Sequence, residues 1–248
     1  AGNKTGQNNA DDNGYGDFYY APPTGFLALC TKNMAVPAVI PSAHFNTVLY
    51  TGDGTADRSI TGVGFQPDFV WLKDRSTTTH HGLFDAIRGK DARLVSNLTI
   101  AEDSQPMLES FNVDGFTTGD HHNADTNSHV AWNWKASGAP SGELVGSGAT
   151  MSGTSGNGTI HDSATGVSGT NTITQSVNQT SGVSITKFTG IDAGGSFPHN
   201  LGGIPDFFVI KSLVNAGVTD AWYVWHQKLT ATSDKHLILN TTSAEVSD

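Results

Sequence analysis

Pro67-Asp68-Phe69-Val70 returns 138 residues later as Pro205-Asp206-Phe207-Phe208, and Tyr50-Thr51-Gly52-Asp53 returns at the same spacing as Phe188-Thr189-Gly190-Ile191. Two separated blocks that keep one offset mark a duplicated module. Ser96-Asn97 with Ala101-Glu102 is echoed 143 residues later by Leu239-Asn240 with Ala244-Glu245, so the second copy has gained five residues, expected in the loop Leu213 to Asp220. The first copy continues past Glu102 to Trp134-Lys135, whereas Asp248 lies three residues past Glu245. The closing strands of copy two are therefore expected either in a longer chain, the favoured reading, or from a partner chain that supplies the missing edge.

Each copy reads as short strands. Phe69-Val70-Trp71-Leu72-Lys73 is a largely apolar run behind a proline, as a sandwich-core strand would be. Asp114-Gly115 between Phe111 and Phe116 reads as a tight hairpin. In His129-Val130-Ala131-Trp132-Asn133-Trp134-Lys135, Val130, Trp132 and Trp134 alternate with smaller or polar residues, a half-buried strand with an aromatic face. The remaining short runs suggest an all-β fold of tandem β-sandwich, jelly-roll or concanavalin-like modules, with one short helical turn near Thr99 to Glu102. The expected organisation is a leading segment 1–40, a first module 41–137, a Gly/Ser/Thr-rich connector 138–170 and a second, truncated module 171–248. The connector, poor in large apolar residues, is expected to be a flexible linker or an extended arm. In the leading segment, Phe26 to Leu29 reads as a short buried strand followed by Cys30, an inert core thiol.

Composition bounds the function. Of 248 residues, 36% are hydrophobic, 15% charged and 29 are glycine, the profile of a β-rich extracellular or virion protein. A net charge of −10 with no basic stripe argues against a nucleic-acid partner. One cysteine excludes an intrachain disulfide framework, and no run approaches the roughly 18 apolar residues of a membrane helix. No cofactor is expected.

Two candidate sites emerge. Trp132 and Trp134 share a strand face and Trp222 and Trp225 cluster in copy two, so they are candidates for stacking against sugars, the competing reading being that they fill the core. Asp120, Asn123, Asp125 and Asn127 offer oxygen ligands at alternating spacing for calcium, without the bidentate glutamate or the glycine of an EF-hand. His80-His81 and His121-His122 lack the spacing that places two imidazoles on one face. Asp68, Asp85, Glu102, Glu109 and Asp114 carry no pairing pattern that marks a glycosidase. Asp68 and Asp206 recur before a strand in both copies, as turn-fixing residues would. No nucleophile elbow or Walker loop is present, and the chain is not expected to be an enzyme.

Phe65 to Arg75, Leu83 to Gly89, Ser110 to Thr117 and Val130 to Lys135 together resemble a module repeated in virion structural proteins of tailed bacteriophages, tail-fibre-like and appendage proteins above all. Tyr15 to Phe18 with Ala21 to Thr31 resembles the closing end of a SPRY-like, concanavalin-type sandwich. The resemblance covers most of the chain outside the connector and brings no catalytic residues with it. It implies a virion location, other virion subunits as partners, assembly as a homo-oligomer and contact with host-surface glycans, without membrane insertion. The alternatives are a secreted bacterial carbohydrate-binding or adhesion protein and, further off, a polysaccharide-degrading enzyme.

Overall fold

In the computed structural model, the structure describes residues 4–35, 37–144, 153, 155–162, 168–190, 195–214, 220–230 and 235–247. The chain forms two compact units, Ala1–Ile40 and Pro41–Asp248.

The first unit is built from turns around one carboxylate. Asp11 Oδ1 accepts the backbone N–H of Asn13 (3.0 Å) and Tyr15 (2.9 Å), while Oδ2 accepts those of Ala28 (2.7 Å) and the Asn33 amide (2.6 Å). The expected strand at Phe26 to Leu29 does not form. Gly25 (φ +85°) turns the chain and Asp11 captures the Ala28 N–H, leaving Phe26 and Leu29 exposed and Cys30 half-buried instead of in a core.

In the second unit the strands are β1 (Phe45–Thr51), β2 (Arg58–Thr61), β3 (Phe69–Asp74), β4 (Gly82–Asp85), β5 (Gly89–Leu94), β6 (Asp103–Ser104), β7 (Leu108–Asn112), β8 (Gly115–Thr118) and β9 (Ser128–Trp134), followed by β10 (Ser155–Asp162), β11 (Ser168–Asn178), β12 (Val183–Phe188), β13 (Gly195–Ser196), β14 (Phe207–Ile210), β15 (Tyr223–His226), β16 (Lys235–Ile238) and β17 (Val246–Ser247). The architecture is all-β and sandwich-type. Copy one sets a six-stranded sheet, β1-β9-β3-β4-β5-β6, against a three-stranded sheet, β2-β8-β7. Val70, Leu72, Phe84 and Ala131 from the first meet Ile60, Leu108 and Phe116 from the second. The β7–β8 hairpin turns at Val113-Asp114, and Gly115 opens β8 at φ +144°. Asp114 pins this turn by accepting the N–H groups of Gly62 (3.1 Å) and Gly64 (2.6 Å). No helical turn forms between Thr99 and Glu102; among the described residues the short 3₁₀ turns are Thr31–Asn33, Pro41–Ala43 and Asp120–His122.

Copy two repeats half of this arrangement with its register intact. Phe69↔Asp85 and Trp71↔Leu83 in β3–β4 become Phe207↔His226 and Val209↔Val224 in β14–β15. Ala92↔Ser104 in β5–β6 becomes Lys235↔Ser247 in β16–β17. The offset is thus 138 residues at β14, 141 at β15 and 143 at β16. The inserted five residues are split, three before β15 and two after it, because insertions between paired strands leave the ladder untouched. Residues 215–219 of the loop expected to hold all five lie outside the described residues.

The region 138–170 is not solely a connector. Its threonines and isoleucine favour extended backbone, and β10 pairs with β11, which pairs with β12; residues 145–152, 154 and 163–167 lie outside the described residues. Ser137 N–H donates to Ser176 Oγ (2.9 Å) and Ser176 Oγ–H to Gly138 O (2.7 Å), tying β11 to the exit of β9.

Candidate binding surface

β9 lies between β1 and β3, so both of its edges are paired. The face turned to the sandwich core is the inconspicuous one: Ala131 and Asn133 are fully buried. Asn133 Nδ2 donates to Asn46 O (3.2 Å) and Ala131 O (3.1 Å), while its Oδ1 has no partner among the described residues. Trp132 and Trp134 therefore point away from the core and are half-buried.

On that outer face the aromatic rings form a strip across three strands. Trp134 touches Phe45 (centroids 4.9 Å) and Phe69 (5.2 Å), and Trp132 meets Trp71 edge-on (5.9 Å). Trp71 Nε1–H donates to His81 Nδ1 (2.8 Å), and burial holds that imidazole below its ordinary pKa, as the neutral acceptor this bond requires. Phe45 is 39% exposed and Leu49, on the same strand face, 63%. Phe69 and Trp71, at one end of the strip, are packed against Trp222 of copy two, so the open part is Phe45 with Trp134 and Trp132, flat apolar rings against which the C–H face of a sugar ring can pack.

The other two tryptophan candidates have different surroundings. Trp222 is 5% exposed, wedged against Leu83 and Leu94 of copy one, with Phe69, Trp71 and Leu213 packed around it. Its Nε1–H is shared between Val95 O (3.0 Å) and Leu98 O (3.1 Å). It is a joint between the copies and is closed to sugars. Leu213 O and Lys211 Nζ complete the joint, accepting the Glu102 N–H (2.8 Å) and donating to Thr99 O (3.4 Å). Trp225 is half-buried and stacks flat on Phe208 (5.1 Å, 12°). The four tryptophans do not form one site: Trp132 and Trp134 share a face, Trp222 bounds it and Trp225 lies on the opposite face of its own sheet.

The echoed asparagines, which as sequence look like glycosylation sequons, are matched clamps. Asn97 Oδ1 accepts the His81 N–H (3.3 Å) and Asn240 Oδ1 accepts the Trp222 N–H (3.0 Å). His81 and Trp222 occupy equivalent positions before β4 and β15. Recurrence at one place in both copies was the available signal for this role.

Two of the four candidate calcium residues, Asn123 and Asn127, are engaged by other side chains and backbone. Asn123 is fully buried; its Oδ1 accepts from Arg58 (2.9 Å) and the Asp53 N–H (3.3 Å), and its Nδ2 donates to Asp53 Oδ1 (2.6 Å) and Thr55 O (2.8 Å). The Thr55 hydroxyl and N–H, with Asn123, hold the Asp53 carboxyl at about 2. Asn127 Nδ2 donates to Asp74 Oδ2 (2.8 Å), while Asp120 and Asp125 are exposed. Among the described residues, no group of three or more His, Cys, Asp or Glu side chains is placed to hold a metal.

Beside this loop, His122 and His129 are 4% and 1% exposed, and no ring nitrogen of either has a hydrogen-bond partner among the described residues. His129 stacks on Tyr50 (5.0 Å), whose hydroxyl donates to His122 O (2.6 Å). Burial pushes His122 down to about 3 and lowers His129.

The carboxylates hold the fold. Asp85 and Glu102 grip the buried Arg88 guanidinium (2.6 and 3.0 Å), which also donates to Ala92 O (2.9 Å) and Leu83 O (3.2 Å). Strand register aligns Arg88 with Leu229 and Asp85 with His226, so copy two has lost both partners together. Glu109 lies 3.6 Å from Lys90. Asp68 does not fix the turn after its proline; its Oδ2 accepts the Ala136 N–H (2.7 Å) and anchors the exit of β9.

No curated protein and no solved structure matches the chain. A family described as a domain of unknown function, DUF7483, matches residues 40–170 and again residues 156–248. The duplicated strand register and this double match have one reading: the chain belongs to the DUF7483 family.

Proposed function

We propose that this chain is a non-enzymatic virion structural protein of a tailed phage, part of a tail fibre, appendage or capsid-surface fibre. It presents its β-modules for assembly with other virion subunits, as a homo-oligomer, and for attachment to host-surface glycans. The observation that carries the attachment reading is the outer strip of Phe45, Trp134 and Trp132, whose rings are turned away from the sandwich core and backed by Phe69 and Trp71. Aromatic groups of this kind, displayed on a rigid sheet, supply contact area at low entropic cost. The tandem repeat supports an extended particle component.

Two measurements test this. Antibody–gold labelling of source particles in electron micrographs is expected to mark fibres or the capsid surface. Label on a cell envelope or in the medium would instead favour a secreted adhesin using the same strip. On a glycan array the chain is expected to bind host-envelope saccharides, with Trp134→Ala weakening binding at least tenfold. Undiminished binding by that variant, folded as judged by circular dichroism, would overturn the assignment of the surface.

A further inference from the structure

We propose that β14 is an acceptor edge for an antiparallel strand donated by another polypeptide. In copy one, β3 is covered on one side by β4 and on the other by β9, with Phe69↔Trp134, Val70↔Asn133, Trp71↔Trp132 and Leu72↔Ala131 in register. Among the described residues, its counterpart β14 pairs with β15 alone. Phe207, Phe208, Val209 and Ile210 are 36–53% exposed, where Val70 and Leu72 are fully buried. No lysine, proline or bulge within the strand blunts this apolar edge, although natural edges are usually protected in one of those ways.

Two further positions record the same gap. Asp68 is 3% exposed and holds the Ala136 N–H at the end of β9; Asp206, at the equivalent place, is exposed and bonded to the Gln227 side chain. Gly52 packs under the loop that leads into β9, so that an added Cβ would lie 2.8 Å from the Asn123 carbonyl carbon, whereas one at Gly190 would meet no described atom within 4 Å.

The closing strand expected for copy two is the counterpart of β9, and its place beside β12 is already held by β11; on that ground, and not from where the sequence stops, the donor to β14 is assigned to another chain. β11 pairs with β12 as β9 pairs with β1: Asn178↔Val183 stands for Trp134↔Phe45, and Ile173↔Phe188 for His129↔Tyr50. On its other side β11 pairs with β10 and leaves β14 uncovered. The chemistry of the donor follows from β9. It is an extended segment with large apolar residues opposite Phe207 and Val209, small or amide residues opposite Phe208 and Ile210, and a backbone N–H two residues further on for Asp206. Main-chain hydrogen bonds would supply affinity and the alternating side chains specificity.

The probe is a fluorescein-labelled peptide with the sequence of residues 127–137, titrated against the 248-residue chain by anisotropy. Saturable one-to-one binding is expected, weakened at least tenfold by Val209→Lys. In the unsubstituted chain the amides of 207–210 should gain hydrogen-exchange protection on peptide addition, a readout that does not depend on the variant folding. The proposal is overturned if no saturable binding occurs up to millimolar peptide, if Val209→Lys binds equally well, or if protection appears at β1 and β3, where the peptide would have displaced β9. Self-association of the chain that Val209→Lys abolishes, without peptide binding, would also overturn it by making a second β14 the occupant.

Discussion

Gly52→Ala and Gly190→Ala make the same chemical change at equivalent positions and should differ sharply in cost. A methyl at Gly52 would lie 2.7 Å from the Ala124 carbonyl carbon and 2.8 Å from that of Asn123, both backbone atoms that no rotamer change can move. The loop must lift, endangering Gly52 N–H to Asn127 O (2.8 Å), Thr126 N–H to Gly52 O (3.1 Å) and Gly54 N–H to Asn123 O (2.8 Å). At about 1 kcal/mol each, with about 1–3 kcal/mol for overpacking, the loss is about 4–6 kcal/mol. Reduced freedom of the unfolded chain returns up to about 1 kcal/mol, leaving a net loss of about 3–5 kcal/mol. At Gly190 no described atom lies within 4 Å of the added carbon, so the entropic gain should stand and stability should be unchanged or slightly higher. Urea unfolding followed by tryptophan fluorescence gives both values, and hydrogen exchange at Thr126 and Asn127 localises the damage. Equal costs for the two substitutions, or a loss below about 1 kcal/mol at Gly52, would refute the steric argument.

Trp222→Ala should cost about 3–5 kcal/mol by emptying the pocket formed by Leu83 and Leu94, and should separate the thermal unfolding of copy two from that of copy one; a single unchanged transition in calorimetry would count against the joint. Acid should destabilise copy one. His122 is held at about 3 against 6.5 when unfolded, so the unfolded state binds more protons below pH 6.5; stability is full above that value and falls as pH drops toward 3. At pH 5 the loss from His122 alone is about 2 kcal/mol, and lowered His129 acts in the same direction. Urea midpoints that stay level from pH 7 to pH 5 would contradict this, as would a His122→Phe variant that remains equally acid-sensitive.

The strands were legible where alternation and turn residues agree. Phe69 to Lys73 and His129 to Lys135 fall within a residue of β3 and β9. Which face of β9 is buried was not legible, because hydrophobicity favours the tryptophans, whereas the face that is buried carries His129, Ala131 and Asn133. The strands inside 138–170 were hidden for a related reason: paired backbone, with no large apolar core visible in the composition, defines β10 and the start of β11. Phe26 to Leu29 failed in the opposite direction, an apolar run with no second layer in its own unit. For the candidate site, aromatic residue type pointed to Trp132 and Trp134, but only tertiary structure separates them from Trp222. The oxygen pattern at Asp120 to Asn127 could not disclose that Asn123 bonds residues some 70 positions earlier in the chain.

The Trp222 joint also bears on how an array of such repeats would respond to heat or tension. Each copy lends a side chain to the sheet of the copy before it, so the free energy of a row contains a coupling between neighbours in addition to the stability of each unit. A row coupled in this way loses order from its ends, like a zipper. It also resists bending at every junction, because rotation of one repeat against the next would draw an indole out of its pocket and break its two hydrogen bonds.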